Sequence, residues 1–419
     1  MGSSDRHDQL RARDTGRRQG ASGLPRRRHV SPANRSLAGL GIGLAAAGVA
    51  AAAGIAAGRV TKERHARLAV LAPAGAYAHT PDLELVVIAD DGVPLHVEVD
   101  EPAPDAATGD KPTVVFSHGF CLSLESWVLQ RKELIRDGHR VVTWDQRGHG
   151  RSGRGTEESC DIDQLGRDLY RVIEEVAPDG QLVLVGHSMG GMTTMALADQ
   201  HPDLIRDRVV ATAFVATSAG GAQLVSLGFG QYFGKLVGRF GPGVLDRLSA
   251  RPGLVRTALR AGRDIEEFLV ERWSFASPVP PAAVRLTGDM IFGTPLDVMA
   301  DFLPTFDRHD KRDALVHFHG VEVLVLNGNH DVLTPPEHSE EIVHLIPGAE
   351  HVVIEEAGHI IMLEHPEVLN EQFAGLIERG TRAAAEGIEI ARKPRVRRTV
   401  TDLAKRRRVA KARRGQSSA

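Results

Sequence analysis

Ser188 stands in Gly186-His187-Ser188-Met189-Gly190-Gly191, with the apolar run Leu182–Val185 before it and the helix-like run Met192–Asp199 after it. A Gly-x-Ser-x-Gly block at a strand-to-helix turn presents its hydroxyl on a sharp, strained corner. Small residues two positions to either side let the chain close there. The first amides of the following helix then face the point where negative charge develops as a carbonyl is attacked. A purely structural Gly-rich turn is the plainer alternative; the flanking strand and helix favour a nucleophile.

A serine hydroxyl needs a base before it attacks anything. The chain has 19 histidines, so residue type alone selects none of them. Position selects His359, in Glu356-Ala357-Gly358-His359, which follows the last strand-like run and precedes the last helix-like one. Asp331, in Asn327-Gly328-Asn329-His330-Asp331, follows the apolar run Val321–Leu326 and lies between the other two in chain order. A carboxylate there would hold the imidazole in one tautomer and stabilise the imidazolium. An aspartate capping a turn is the competing reading. Two backbone amides would complete the centre, that of Met189 and that of Phe120 in His118-Gly119-Phe120. Phe120 and Trp127 are also candidates to line an acyl pocket, though aromatics near a core helix commonly serve packing. His317-x-His319 has no third ligand cluster beside it, so neither a metal nor an organic cofactor is expected.

Positioning these residues requires a sheet. Leu83–Ile88 and Leu95–Val99 flank Asp90-Asp91-Gly92 and read as a hairpin. Thr113–Ser117, Val141–Trp144, Leu182–Val185, Val209–Val215, Val321–Leu326 and His351–Ile354 are short β-branched runs. Helical stretches separate the earlier ones, about 125–137 and 161–177, and another closes the series at about 367–379. Strand alternating with helix predicts a parallel sheet covered on both faces. Between residues 220 and 312 the strand rhythm stops, which predicts a helical insertion over one end of the sheet.

The ends differ from this body (81–219 and 313–380). Residues 1–36 hold nine arginines against three aspartates and read as a basic disordered lead. Leu37–Gly58 carries no charge, with ten alanines and six glycines, and is long enough to cross a bilayer. It reads as a single-pass anchor, with a cleaved leader or an Ala/Gly-rich tail as alternatives. Residues 59–80 read as a linker. Arginines flank the span on both sides, so the orientation count only slightly favours an extracytoplasmic body. Residues 381–419 hold thirteen Lys/Arg against three acids and read as a basic disordered tail. With a net charge of −3, the body between the ends is strongly acidic and would repel a polyphosphate, so no nucleic-acid partner is expected. The basic ends suit anionic lipid better.

From about residue 83 to 380 the chain resembles the α/β-hydrolase superfamily. Four blocks match in order: His118-Gly119-Phe120, Asp145-Gln146-Arg147-Gly148-His149-Gly150-Arg151-Ser152, the Ser188 turn, and Asp331 with His359. The second block is typical of the branch holding monoacylglycerol lipases, carboxylesterases and bacterial perhydrolases, where it shapes a turn. The resemblance implies a mostly parallel eight-stranded sheet flanked by helices, with residues 220–312 as a lid. It implies acyl transfer through an acyl-enzyme on Ser188 but leaves the substrate open; a membrane tether would give access to lipid esters, so the expected substrates are small-molecule or lipid esters. Thioester, amide or perhydrolase chemistry would use the same residues, and a non-catalytic, membrane-anchored binding protein on this scaffold would typically have lost one of them.

Overall fold

A computed structural model of the chain describes Ala72 and residues 75–102, 111–221 and 270–414. The hairpin forms as read, with β1 (Leu83–Ile88) antiparallel to β2 (Pro94–Asp100). Then come β3 (Thr113–Ser117), α1 (Val128–Arg136), β4 (Val141–Trp144), α2 (Ile162–Val176) and β5 (Leu182–His187). After them follow α3 (Met189–Gln200), α4 (Pro202–Arg208) and β6 (Val209–Val215). The insertion contributes α5 (Pro281–Gly293) and α6 (Leu296–Arg308) to the described residues. The chain returns with β7 (Glu322–Gly328), α7 (Pro336–Leu345), β8 (Glu350–Ile354), α8 (Ile361–Glu364) and α9 (Pro366–Glu386). It ends with β9 (Arg398–Val400) and α10 (Leu403–Arg414).

These strands form one sheet in the order β1-β2-β4-β3-β5-β6-β7-β8-β9. β2 meets β4 antiparallel, and every later pairing is parallel. The central strands are apolar on both faces because both are covered. In β5, Val183 and Val185 enter one core while Leu182 and Leu184 enter the other. The first core is closed by Leu134 of α1 and by Leu369, Phe373 and Leu376 of α9. The second is closed by Leu169, Val172 and Ile173 of α2 and Ile342 of α7. Asp161 caps α2 by accepting from the Gln164 amide at 2.7 Å, and Gly387 ends α9 at φ 62°, a left-handed corner that suits glycine.

The C-terminal segment corrects the sequence reading. Residues 381–414 are not a disordered tail: β9 adds a ninth strand parallel to β8, where eight were expected. Charge explains the docking. Arg395 pairs with Glu322 at 2.8 Å, Arg397 with Glu340 at 2.6 Å and Arg408 with Glu367 at 2.7 Å, while Arg398 pairs with Glu350. The basic tail meets the acidic body of its own chain. Each exposed pair contributes only about 0–1 kcal/mol, so the strand pairing and the buried contacts described below must supply the rest.

The lead at 1–36, the uncharged segment 37–58 and residues 222–269 of the insertion lie outside the described residues, as does most of the linker. Among the described residues no helix is long and apolar enough to cross a membrane.

Candidate active site

β5 runs straight into the Ser188 corner, and α3 begins at the next residue. Ser188 has φ 52° and ψ −117°, a backbone state that costs a residue with a side chain roughly 1–3 kcal/mol. Its neighbours hold it there. The Ser188 N–H donates to the Val215 carbonyl at 3.0 Å, and the Ser188 carbonyl accepts from Thr217 Oγ1 at 2.6 Å and the Gly191 N–H at 3.0 Å. A Cβ on Gly186 would strike the Gly190 carbonyl, and one on Gly190 would strike the Ser117 carbonyl. The small residues are therefore steric requirements of the corner.

Asp331 and His359 arrive from the loops after β7 and β8. His359 Nδ1 lies 2.8 Å from Asp331 Oδ2, and both side chains are buried. The carboxylate also accepts from the amides of Leu333 and Thr334 at 2.8 and 3.0 Å and from Thr334 Oγ1 at 2.8 Å. With Nδ1–H donating to the carboxylate, Nε2 is left as the proton acceptor of the ring. The preceding residue of the corner ties this loop in: His187 donates from Nε2 to the His359 carbonyl at 3.0 Å, with ring centroids 4.7 Å apart.

Around them, burial keeps other imidazoles neutral. It lowers His118 to about 3 and His149 to about 4, and it pushes His187 well below the usual histidine range. Neutral His118 accepts the Gln146 N–H at Nε2 (2.9 Å) and donates from Nδ1 to the Gly119 carbonyl (2.7 Å). The Gln146 side chain reaches back to the His118 carbonyl at 2.6 Å and accepts from Thr193 Oγ1 at 2.7 Å. The Asp145–Ser152 block thus does more than shape its own turn, because it pins the loop that carries Phe120 against the start of α3.

Met189, as the first residue of α3, has an N–H with no carbonyl one turn back to receive it. Phe120 and Met189 sit in one apolar cluster with Met192 and with Met299, Phe302 and Phe306 of α6, the Phe120 and Phe306 rings lying 5.1 Å apart. Trp127 belongs to a different cluster, its ring edge-on to that of His187 at 6.3 Å. It is fully buried in the core against Phe116 at 4.8 Å and Phe373 at 6.3 Å, where a large ring at the start of α1 fills the space beneath β3. Among the described residues no group of three or more His, Cys, Asp or Glu side chains could hold a metal ion.

Sequence reasoning did not single out Gln146, Thr217, Thr334 or Glu364. Thr334 follows the acid by three residues, a spacing that suits a turn around a carboxylate. Glu364 gave no local signal, since its carboxylate accepts from the amides of Ala276 and Ser277, nearly ninety residues earlier, as well as from Gly358. The structure thus brings together a buried Asp331–His359 pair and, through the His187 bond to the His359 carbonyl, ties that pair's loop to the residue before Ser188.

Comparison with known proteins agrees with this architecture. A family profile described as the α/β hydrolase fold matches residues 112–366. Over 131 residues the chain is 33% identical to a candidate carbamate hydrolase, RutD, of Variovorax paradoxus, a match that covers 31% of this chain and about half (47%) of that protein. Over 264 residues it is 29% identical to the sn-1-specific diacylglycerol lipase ABHD11 of Mus musculus, covering 61% of this chain and 78% of that one. The crystal structure of the enol-lactonase from Burkholderia xenovorans superposes with a TM-score of 0.53 at 22% identity, covering 70% of this chain and all of the other. With its sheet, its strained corner and a profile matched over more than half its length, the chain belongs to the α/β-hydrolase fold family.

Proposed function

We propose that the protein is a serine hydrolase of carboxylic esters, working through an acyl-enzyme on Ser188. The observation that carries the reading is the Asp331–His359 pair, supplied by two separate loops, one of which is bonded through the His359 carbonyl to His187, the residue before a serine held at φ 52°. In the proposed reaction His359 Nε2 takes the Ser188 proton as the hydroxyl attacks the ester carbonyl. The amides of Met189 and Phe120 receive the developing oxyanion. His359 then protonates the departing alcohol, and the same nitrogen activates the water that releases the acid. Asp331 keeps the ring oriented and offsets its transient charge. Neither a metal nor an organic cofactor enters these steps.

The apolar cluster of Phe120, Met192, Met299, Phe302 and Phe306 supports an apolar acyl group lying under α6. The names of the relatives, an sn-1-specific diacylglycerol lipase among them, support ester substrates of lipid character. A tether at residues 37–58, if it holds the enzyme at a bilayer with an extracytoplasmic body, would bring such substrates close, and carbonate extraction of the full chain tests it. Labelling with a fluorophosphonate probe, followed by hydrolysis of an acyl-chain series of esters, thioesters and anilides, tests the central reading. The wild type is expected to label and to favour esters, and Ser188→Ala to do neither; labelling that persists in Ser188→Ala overturns the assignment.

A further inference from the structure

Lys405 lies on α10, beyond the last residue that the family profile matches. Most of that helix is exposed, yet Lys405 is only 8% exposed. Burying an ammonium is costly unless hydrogen bonds replace its water. Lys405 Nζ donates to the Glu364 carbonyl at 2.7 Å and to Ser277 Oγ at 2.6 Å. Asp402 secures the helix start from beneath, accepting the Lys405 N–H at 2.7 Å and meeting His365 Nδ1 at 3.1 Å.

Beyond Lys405 the bonds lead to the catalytic loop. Ser277 Oγ donates to Glu364 Oε1 at 2.7 Å, which also accepts the amides of Ala276 and Ser277. The other oxygen, Glu364 Oε2, accepts the Gly358 N–H at 2.6 Å. Gly358 immediately precedes His359, and on the other side the Ile360 N–H donates to the Ser274 carbonyl at 3.1 Å. A Cβ on Gly358 would press into the 274–276 backbone, so the two strands of loop are in direct contact. The backbone of His359 is therefore bracketed on both sides by the 274–277 segment. That segment is held by one buried carboxylate, and the ammonium that reaches Ser277 Oγ and the Glu364 backbone carbonyl comes from the C-terminal helix.

We propose that Lys405 is a positioning residue for His359, acting through Ser277 and Glu364 on the turn at Gly358. The docked tail is then part of the catalytic apparatus, clamping the base loop from outside the core fold. This rests on the reading of His359 as general base.

The test uses the full chain. Active sites are counted by fluorophosphonate titration, and kcat and KM are measured on a short-chain ester. Lys405→Met is expected to lower kcat per titrated site about tenfold with KM within about twofold, because a small displacement of the base slows proton transfer without altering ester binding. Lys405→Arg restores kcat to within about threefold, since a guanidinium keeps the charge and its donors. Ser277→Ala breaks the relay in its middle and lowers kcat in the same sense, which keeps the test open if Lys405→Met does not fold. Arg407→Ala, exposed on the same helix, leaves kcat unchanged. Wild-type kcat per site in both Lys405→Met and Ser277→Ala overturns the proposal. A wild type that does not react with the probe at all sinks the serine-hydrolase reading instead.

Discussion

The imidazole of His359 and the carboxylate of Asp331 meet at 2.8 Å across a sequence separation of 28, with Thr334 Oγ1 donating to the same carboxylate oxygen. The contact exists because β7 and β8 are parallel neighbours, which places the loops after them at one edge of the sheet.

Asp331→Asn keeps the shape of that contact and alters its donors and acceptors. An amide can donate to Nδ1 and favour the wrong tautomer, so kcat is expected to fall roughly 10³- to 10⁴-fold with little change in melting temperature. Steady-state kinetics beside a thermal melt separates the two effects.

Gly190 lies where the start of α3 passes the Ser117 carbonyl with no room for a side chain. Gly190→Ala forces backbone apart beside the strained Ser188 corner and should cost roughly 1–3 kcal/mol, the ordinary range for overpacking. A drop in the urea midpoint at unchanged slope checks it; a midpoint equal to wild type removes the steric account of the corner.

Gln146→Met preserves side-chain volume but leaves the His118 carbonyl without its 2.6 Å donor. An unsatisfied buried acceptor costs about 1–3 kcal/mol, and the loop bearing Phe120 loses an anchor. Lower kcat with nearly unchanged KM is the expected kinetic signature, because the role proposed for the Phe120 amide is on the transition state.

Glu98 supplies a pH dependence. Burial pushes its carboxyl up, but hydrogen bonds from His96 and Arg131 and the charges of Arg131 and Arg151 hold it at about 2. A carboxylate with a depressed folded pKa adds stability that is present above its ordinary value of 4.5 and lost as pH falls through about 2. Glu98→Gln should therefore be less stable than wild type near neutrality, by roughly 3 kcal/mol for a broken buried pair. That gap should close as the pH approaches 2. Denaturant melts of both proteins across this range measure it, and a gap independent of pH would falsify the linkage.

Much of the fold was legible along the chain because its causes are local. β-branched runs between helical stretches have few ways to bury both faces, so the parallel sheet followed, and β1, β3, β4 and β6 begin and end where the runs do. The serine corner was legible in part for the same reason: Gly186 is demanded by the Gly190 carbonyl four residues on, whereas Gly190 answers to the Ser117 carbonyl at the end of β3.

Other features depend on residues far apart in the chain. The basic C-terminus looked solvated because a run of like charges repels itself; only the folded body presents Glu322, Glu340 and Glu367 where Arg395, Arg397 and Arg408 can reach them. Trp127 carried no local mark separating a pocket wall from a core ring; its packing on Phe116 and Phe373 is visible only in the fold. Glu364 meets the amides of Ala276 and Ser277, and Gln146 the His118 carbonyl, from loops that chain order leaves unrelated. By itself the sequence determined which backbone segments could form and which residue types could react. The tertiary structure decided which side chains share a hydrogen bond, because burial and proximity belong to the assembled fold.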